Sequence, residues 1–289
     1  MLKQPLYIAN AAATFRFPPL ADPACSLLEP DYKAWIPNAA LRRRMSRLVR
    51  MGVATGLQCL REKEISPDAI LTATGLGCLA DTEKFMNGIL DNGEQLLAPT
   101  AFIQSTFNTV GAQIALLTGN HCYNNTYVHR GFSFESALLD ASLLIGEEEA
   151  ATVLAGATDE MTPLLHTILG RMGCWRHQQP GEGAAFFLLS GAPIAGSRIV
   201  LKDMELFGGS YTEKEIHERL RLFLEQNKES EARILQPEEY KRLCGEYPTS
   251  ISFALWYACR RIGETNDPRS WVIRNHYAGT HSFLLLKRI

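Results

Sequence analysis

Apolar and polar positions along this chain switch between two periods, and the switches mark the elements. Leu48, Val49, Val53, Leu57 and Leu60 recur at near-helical spacing and predict one helix over residues 38–61. Phe134, Ala137, Leu138, Ala141, Leu144 and Ile145 share one helical face and predict another directly after a turn. Residues 109–117, 211–226 and 250–262 read as further helices. Short apolar runs at 68–74, 152–156, 184–190, 199–206, 271–275 and 283–287 read as strands, and Pro5-Leu6-Tyr7-Ile8-Ala9 as part of a first one. Gly208-Gly209 and the segment Glu264-Thr265-Asn266-Asp267-Pro268 mark turns. Strands alternating with helices of this length predict an α/β fold around a buried sheet. No Pro-rich linker or low-complexity run divides the chain. The expectation is a single domain over residues 1–289, with a first half at about 1–165 and a second at about 183–289.

Composition narrows the picture without filling it. With 289 residues, 46% of them hydrophobic, the chain can bury a large core. The net charge of -2 supplies no overall basic field, so nucleic acid is not the expected partner. No run of 18 apolar residues is present, and the first residues are too polar for a signal peptide, so a cytoplasmic location is expected. The seven cysteines (Cys25, Cys59, Cys78, Cys122, Cys174, Cys244 and Cys259) are scattered and odd in number, which fits a reducing compartment without disulfides. On that reading the sequon Asn124-Asn125-Thr126 is chance, and Cys174 with His177 is a lone C-x-x-H that does not make a metal site. Arg42, Arg43 and Arg44 read as a solvated face. Gly75-Leu76-Gly77-Cys78-Leu79-Ala80 follows a strand and matches G-x-G-x-x-A, but the acidic residue a dinucleotide needs should end a second strand. Glu94 is near the right distance with no clear strand before it. A tight turn against a helix is the better reading, and no cofactor is expected.

One turn carries the most information. Thr126-Tyr127-Val128-His129-Arg130-Gly131-Phe132-Ser133-Phe134 reads as strand, sharp turn and helix start. Such a turn places one residue at a helix N-terminus, where free N–H groups and the dipole favour an anion. A cysteine there would ionise readily and act as a nucleophile. Here the position holds Gly131.

Five segments together resemble the β-ketoacyl synthases. Gly75-Leu76-Gly77 resembles their glycine turn, and Phe102 to Asn108 with Val110-Gly111-Ala112-Gln113-Ile114-Ala115 resembles their Phe…Asn…Ala-Gly-x-Ile-Ala segment. Val153-Leu154-Ala155-Gly156-Ala157-Thr158-Asp159 is similar to Val-x-Ala-Gly-Gly-x-Glu, and Gly181-Glu182-Gly183-Ala184-Ala185 to Gly-Glu-Gly-Ala-Gly. Asn275-His276-Tyr277-Ala278-Gly279-Thr280-His281-Ser282-Phe283-Leu284 is similar to the closing Asn-Ser-Phe-Gly-Phe-Gly-Gly-Thr-Asn run. The segments occur in order along the whole chain. The resemblance implies a thiolase-like layered αβαβα fold of two related halves, the second shortened.

The departures fall on the chemistry. Synthases of this family hold the acyl chain on a cysteine and use two histidines on the malonyl thioester. The cysteine position aligns with Gly131, the His-Gly-Thr-Gly-Thr segment is missing, and the second histidine aligns with Glu246. A carboxylate there would repel an enolate. The resemblance therefore implies a chain length factor, closest to the short versions of the aryl polyene and flexirubin pigment type. Such a subunit has no catalytic residue of its own. It pairs with an active ketosynthase as a heterodimer, meets the acyl carrier protein through that partner and shapes the acyl tunnel during polyene elongation. Phe107, beside Asn108 and Thr109, aligns with the family's tunnel gate. His129, Arg130, Phe132 and Phe134 complete the expected interface and tunnel set. The alternatives are an active acyltransferase with an atypical nucleophile, such as a Ser133/His129 pair, or a homodimeric module that binds an acyl chain or a carrier protein.

Overall fold

The computed structural model describes residues 2–16, 29–61, 65–97, 99–265 and 268–289. Cys25 and two residues of the expected 264–268 turn, Asn266 and Asp267, lie outside the described residues. The first elements are β1 (Leu6–Arg16), α1 (Tyr32–Trp35), α2 (Ala39–Arg44), α3 (Arg47–Arg61), β2 (Ala69–Ala73), α4 (Leu79–Asp91), α5 (Pro99–Ser105) and α6 (Thr109–Thr118). Then come β3 (Tyr123–Tyr127), α7 (Ser133–Gly146), β4 (Thr152–Asp159), α8 (Pro163–Arg171), β5 (Glu182–Ser190) and β6 (Ile199–Gly208). The chain closes with α9 (Glu213–Asn227), β7 (Arg233–Leu235), α10 (Pro237–Cys244), α11 (Ser250–Glu264), β8 (Trp271–Tyr277) and β9 (Thr280–Arg288).

The strands form one continuous ladder in the order β3-β2-β4-β5-β1-β6-β9-β8-β7. In the first half β3, β2 and β4 are parallel, while β5 and β1 run antiparallel to their neighbours. In the second half β7 and β8 are parallel and β9 turns back between β8 and β6. The halves meet where β1 pairs with β6 over three positions, Leu6↔Leu201 to Ile8↔Ile199.

Side chains alternate across these strands, and the alternation builds the layers. On β5, Ala185, Phe187 and Leu189 face one cluster and Ala184, Phe186 and Leu188 another. The first cluster holds α7, α10 and α11 and takes residues from both halves, including Leu71, Val153, Ile273 and Leu284. The helices α3 and α6 cover the outer face of the first half, through Val49, Val53, Val110 and Ile114. The helix α9 covers the outer face of the second, through Ile216, Leu220 and Phe223 against Val272, Phe283 and Leu285. Helix, sheet, helix, sheet and helix follow in that order, as the sequence implies.

Several expected boundaries move. The helix expected over 38–61 breaks at Met45, which is extended (φ -74°, ψ 134°) and buried, and Ser46 starts a new helix by accepting from Val49 N at 3.5 Å. The strand expected at 283–287 lengthens to Thr280–Arg288 because the β8–β9 hairpin pairs every residue down to Tyr277↔Thr280. Two helices absent from the periodicity carry N-terminal signals instead: Thr162-Pro163 opens α8, and Pro237, with a Gln236/Glu239 capping box, opens α10. Glu94 lies in the turn after α4, at φ 67°, and not at a strand end, so the dinucleotide pattern fails in space as it does in sequence.

Candidate functional site

The turn between β3 and α7 is tight and locked from within. Arg130 takes a left-handed φ of 48°, and residues 130–132 form a single 3₁₀ turn. Ser133 Oγ donates to Arg130 O at 2.8 Å and accepts His129 N at 2.7 Å. That hydroxyl is spent on the backbone. The His129 ring meets Ser136 Oγ at 3.5 Å and the edge of Phe132, so the two side chains considered as a Ser/His pair are not joined.

Gly131 sits buried inside this turn and faces the β8–β9 hairpin. A Cβ built on it would lie 2.2 Å from Thr280 Oγ1 and 3.1 Å from Tyr277 Cδ1. Thr280 Oγ1 is itself held by Tyr277 O at 2.6 Å. The space a nucleophile would need is occupied. One helical turn further, Glu135 is fully buried. Its Oε1 accepts Ser282 Oγ at 2.7 Å and Asn275 Nδ2 at 3.4 Å, and Tyr240 OH donates to Asn275 Oδ1 at 2.6 Å. Burial lifts the Glu135 carboxyl to about 7, against the pull of these hydrogen bonds.

Gly245 and Glu246 follow α10. Gly245 takes φ 76° and its backbone crosses that of Gly181 so closely that a Cβ would stand 2.5 Å from Gly181 Cα. Glu246 N donates to Gln179 O and Gly181 N to Glu246 O, a short parallel bridge that fixes the segment. The Glu246 side chain is buried and ion-paired, with Lys241 Nζ 2.9 Å from either carboxylate oxygen. Burial raises its carboxyl and Lys241 opposes the shift.

Glu246 and Lys241 line a cleft of about 690 Å³ with His177, Tyr211, His276 and His281. The rings of His276 and His281 stack at 4.6 Å across the hairpin, and His281 stacks on Phe207 at 5.1 Å. Burial, followed by the neighbouring His281, pushes His276 down to about 4, and burial lowers His281 also. Both rings are neutral near pH 7. The hairpin thus separates the two aligned positions: Tyr277 and Thr280 face Gly131, while His276 and His281 face the cleft with Glu246. With both pushed toward the neutral form, neither His276 nor His281 offers the cleft a cationic imidazole for a developing negative charge.

The expected tunnel and interface set divides. Phe107 is 51% exposed, with Asn108 exposed beside it. His129 and Arg130 are exposed and Phe132 half-buried. Phe134 is wholly buried against Phe187, with ring centroids 5.6 Å apart, within the central core. Thr109 is buried too, its hydroxyl bonded to Thr106 O at 2.8 Å within its own turn. Asp159, the acidic end of the Val153–Asp159 segment, has a role that the motif alone does not show: its buried carboxylate accepts Thr74 Oγ1, Gly75 N, Thr249 N and Thr249 Oγ1 at 2.7–3.0 Å and so ties the glycine turn to the start of α11. Burial lifts the thiols of Cys78 and Cys259 to about 12 and raises those of Cys122 and Cys244, which disfavours thiolates at all four. Among the described residues no group of three or more His, Cys, Asp or Glu is placed to hold a metal, and no helix is long and apolar enough to cross a membrane.

Residues 24–190 match the family described as beta-ketoacyl synthase, N-terminal domain, and the chain belongs to the β-ketoacyl synthase family. Its fold is thiolase-like. The ishigamide ketosynthase/chain length factor superposes with a TM-score of 0.77 at 14% identity, over 99% of each chain. A type II PKS acyl-carrier protein in complex with its ketosynthase bound to the hexaketide gives 0.79 at 15%, over 99% of this chain and 100% of that one. A ketosynthase in complex with its chain length factor from Xenorhabdus doucetiae gives 0.60 at 18%, over 98% and 99%. At these identities the likeness is one of fold. No curated protein matches the sequence.

Proposed function

We propose that this chain is a non-catalytic chain length factor that pairs with an active ketosynthase and shapes its acyl tunnel during polyene elongation. The observation that carries the reading is Gly131: the nucleophile position has no side chain, and Thr280 fills the space one would take. The raised thiols, the engaged Ser133 hydroxyl and the Lys241–Glu246 pair support it, since each removes a group that condensation chemistry would use.

The edge of the sheet supports the partner. Among the described residues β3 is the terminal strand and pairs only with β2, which leaves one row of its backbone groups open to a partner. Tyr123, Val128, Phe102, Ile103 and Phe107 are exposed apolar side chains on β3 and the elements near it. A ketosynthase subunit adding its own strand there would cover both the edge and the apolar surface. We read the chain as one domain of two related halves, acting in the cytoplasm, with the carrier protein reached through the partner and with the aryl polyene or flexirubin type as the class of product.

Co-purification with a ketosynthase subunit of the same organism, followed by elongation on malonyl-loaded carrier protein, tests the reading. The expected outcome is an inert chain alone and long products only from the complex. Carbon dioxide release or acylation by the isolated chain would overturn it.

A further inference from the structure

The second half of the sheet repeats the first with a piece left out. β6, β9, β8 and β7 follow one another as β1, β5, β4 and β2 do, and β7 is parallel to β8 as β2 is to β4. Among the described residues nothing in the second half answers to β3 or α6. The difference falls on one row of side chains. In the first half Thr14, Ala184 and Thr158 lie side by side on β1, β5 and β4, and Val110 of α6 sits beside Thr158, since a Cβ on Gly52 would meet both. The same row in the second half is Phe207, His281 and His276. Its two histidines line the cleft of about 690 Å³, where the first half has a helix.

Three rings therefore stack across three strands. Phe207 and His281 are 5.1 Å apart and 6° from parallel, and His281 and His276 are 4.6 Å apart and 28° from parallel. The stack stops at His276 because β7 pairs no further than Leu235↔Ile273. It ends on an exposed, neutral imidazole inside the cleft. The charged groups around it are of two kinds. Lys241 with Glu246 and Arg274 with Glu213 are paired. Glu238 and Arg242, both exposed on α10, have no ion pair among the described residues. Two buried atoms also lack partners, His281 Nδ1 and Arg274 Nε. His281 is 5% exposed and its ring bonds the Gly209 backbone, which leaves Nδ1 as an acceptor without a donor. A hydrocarbon ring would stack here and leave both atoms unpaired. One edge of an amino-bearing heterocycle carries the donor and the acceptor they need.

We propose that this cleft binds a ribonucleoside with an amino-bearing base, of which adenosine is the type: the base stacks on His276 with its edge toward His281 and Arg274, the ribose hydroxyls meet Glu238, and Arg242 takes a phosphate where the ligand carries one. Ring-on-base stacking, a carboxylate on a ribose diol and a guanidinium on a phosphate are each the ordinary chemistry of such contacts. The cleft has the volume of a small-ligand site. It lies across the β8–β9 hairpin from Gly131, so the inference does not depend on the chain-length-factor reading.

Titration calorimetry on the full chain, with adenosine, AMP, 2′-deoxyadenosine and pantetheine as probes, tests it. Adenosine and AMP are expected to bind saturably at one site, AMP the more tightly, and 2′-deoxyadenosine more weakly than adenosine. His276→Ala is expected to weaken adenosine by about tenfold and His276→Phe to restore it, because the base needs a ring face. Glu238→Gln is expected to shrink the preference for adenosine over 2′-deoxyadenosine, and Arg242→Ala to weaken AMP by about tenfold without affecting adenosine. Thermal melts that match wild type establish that each variant folds. No saturable binding of adenosine or AMP, unchanged affinity in His276→Ala, or a cleft that takes pantetheine in preference to adenosine would overturn the inference and leave the chain-length-factor reading untouched.

Discussion

On the proposed chain-length-factor reading, a thiol at position 131 tests whether the missing side chain alone keeps the chain from acylation. The new Cβ would press on Thr280 Oγ1, held in place by Tyr277. Gly131→Cys is therefore expected to destabilise the fold by about 1–3 kcal/mol and to gain no acylation, as read by denaturant melts and by mass after incubation with malonyl-loaded carrier protein. Glu135 gives a pH dependence. Its folded carboxyl titrates near 7, above the ordinary value of 4.5, so the folded state holds the proton more tightly than the unfolded chain. Stability from this group is full below about 4.5 and is lost as pH rises through about 7. Glu135→Gln keeps an oxygen for Ser282 and Asn275 and should flatten the curve. Melts at pH 5 and pH 8 are expected to show the wild type losing on the order of 2–3 kcal/mol more than the variant between them. Lys241 is tested by a cycle. Lys241→Met strands a buried carboxylate and should cost about 3–5 kcal/mol, most of it recovered when Glu246→Leu is added. A double variant as unstable as the single one would show that the pair does not act as a unit.

Among the elements, β3 separates folding from assembly. Tyr123 and Val128 are half or more in water or close to it, so Tyr123→Asp with Val128→Asp should leave the isolated chain's melt within about 0.5 kcal/mol of wild type. Affinity for the ketosynthase should fall by more than about tenfold, measured by titration of one purified subunit into the other. Undiminished affinity would place the interface elsewhere. The same elements show what could be read in advance. The helix α7 was legible because Phe134, Ala137, Leu138 and Ala141 repeat at helical spacing, and burial on one face imposes that repeat. The helix α8 was not, because none of its residues is buried and no core-facing stripe exists to see. β7 escaped because three residues are too few to show a period. The split between α2 and α3 turned on one N-cap, Ser46, inside an apolar pattern that runs on as if unbroken.

For the whole molecule, the order of segments along the chain disclosed the fold, since the resembling motifs fall in turn on the glycine turn after β2, on α5 and α6, along β4, at the start of β5 and across the β8–β9 hairpin. The site was less legible. Gly131 and Glu246 could be named from the sequence, but their separation by the β8–β9 hairpin and the salt bridge from Lys241 arise from long-range packing. Phe134 shows the same limit, an aromatic beside the turn whose direction is set by the helix and not by its nearness in sequence. The seam between the halves has a consequence for synthesis. β1 is made first, yet it lies between β5 and β6, and its pairing with β5 runs from Tyr7↔Ser190 to Arg16↔Glu182. At the usual pace of translation its partners leave the ribosome on the order of 10 to 30 s later. Through that interval the nascent chain carries a strand with both edges bare, so the growing polypeptide depends on delay, shielding or chaperones to reach the sheet that β1 completes.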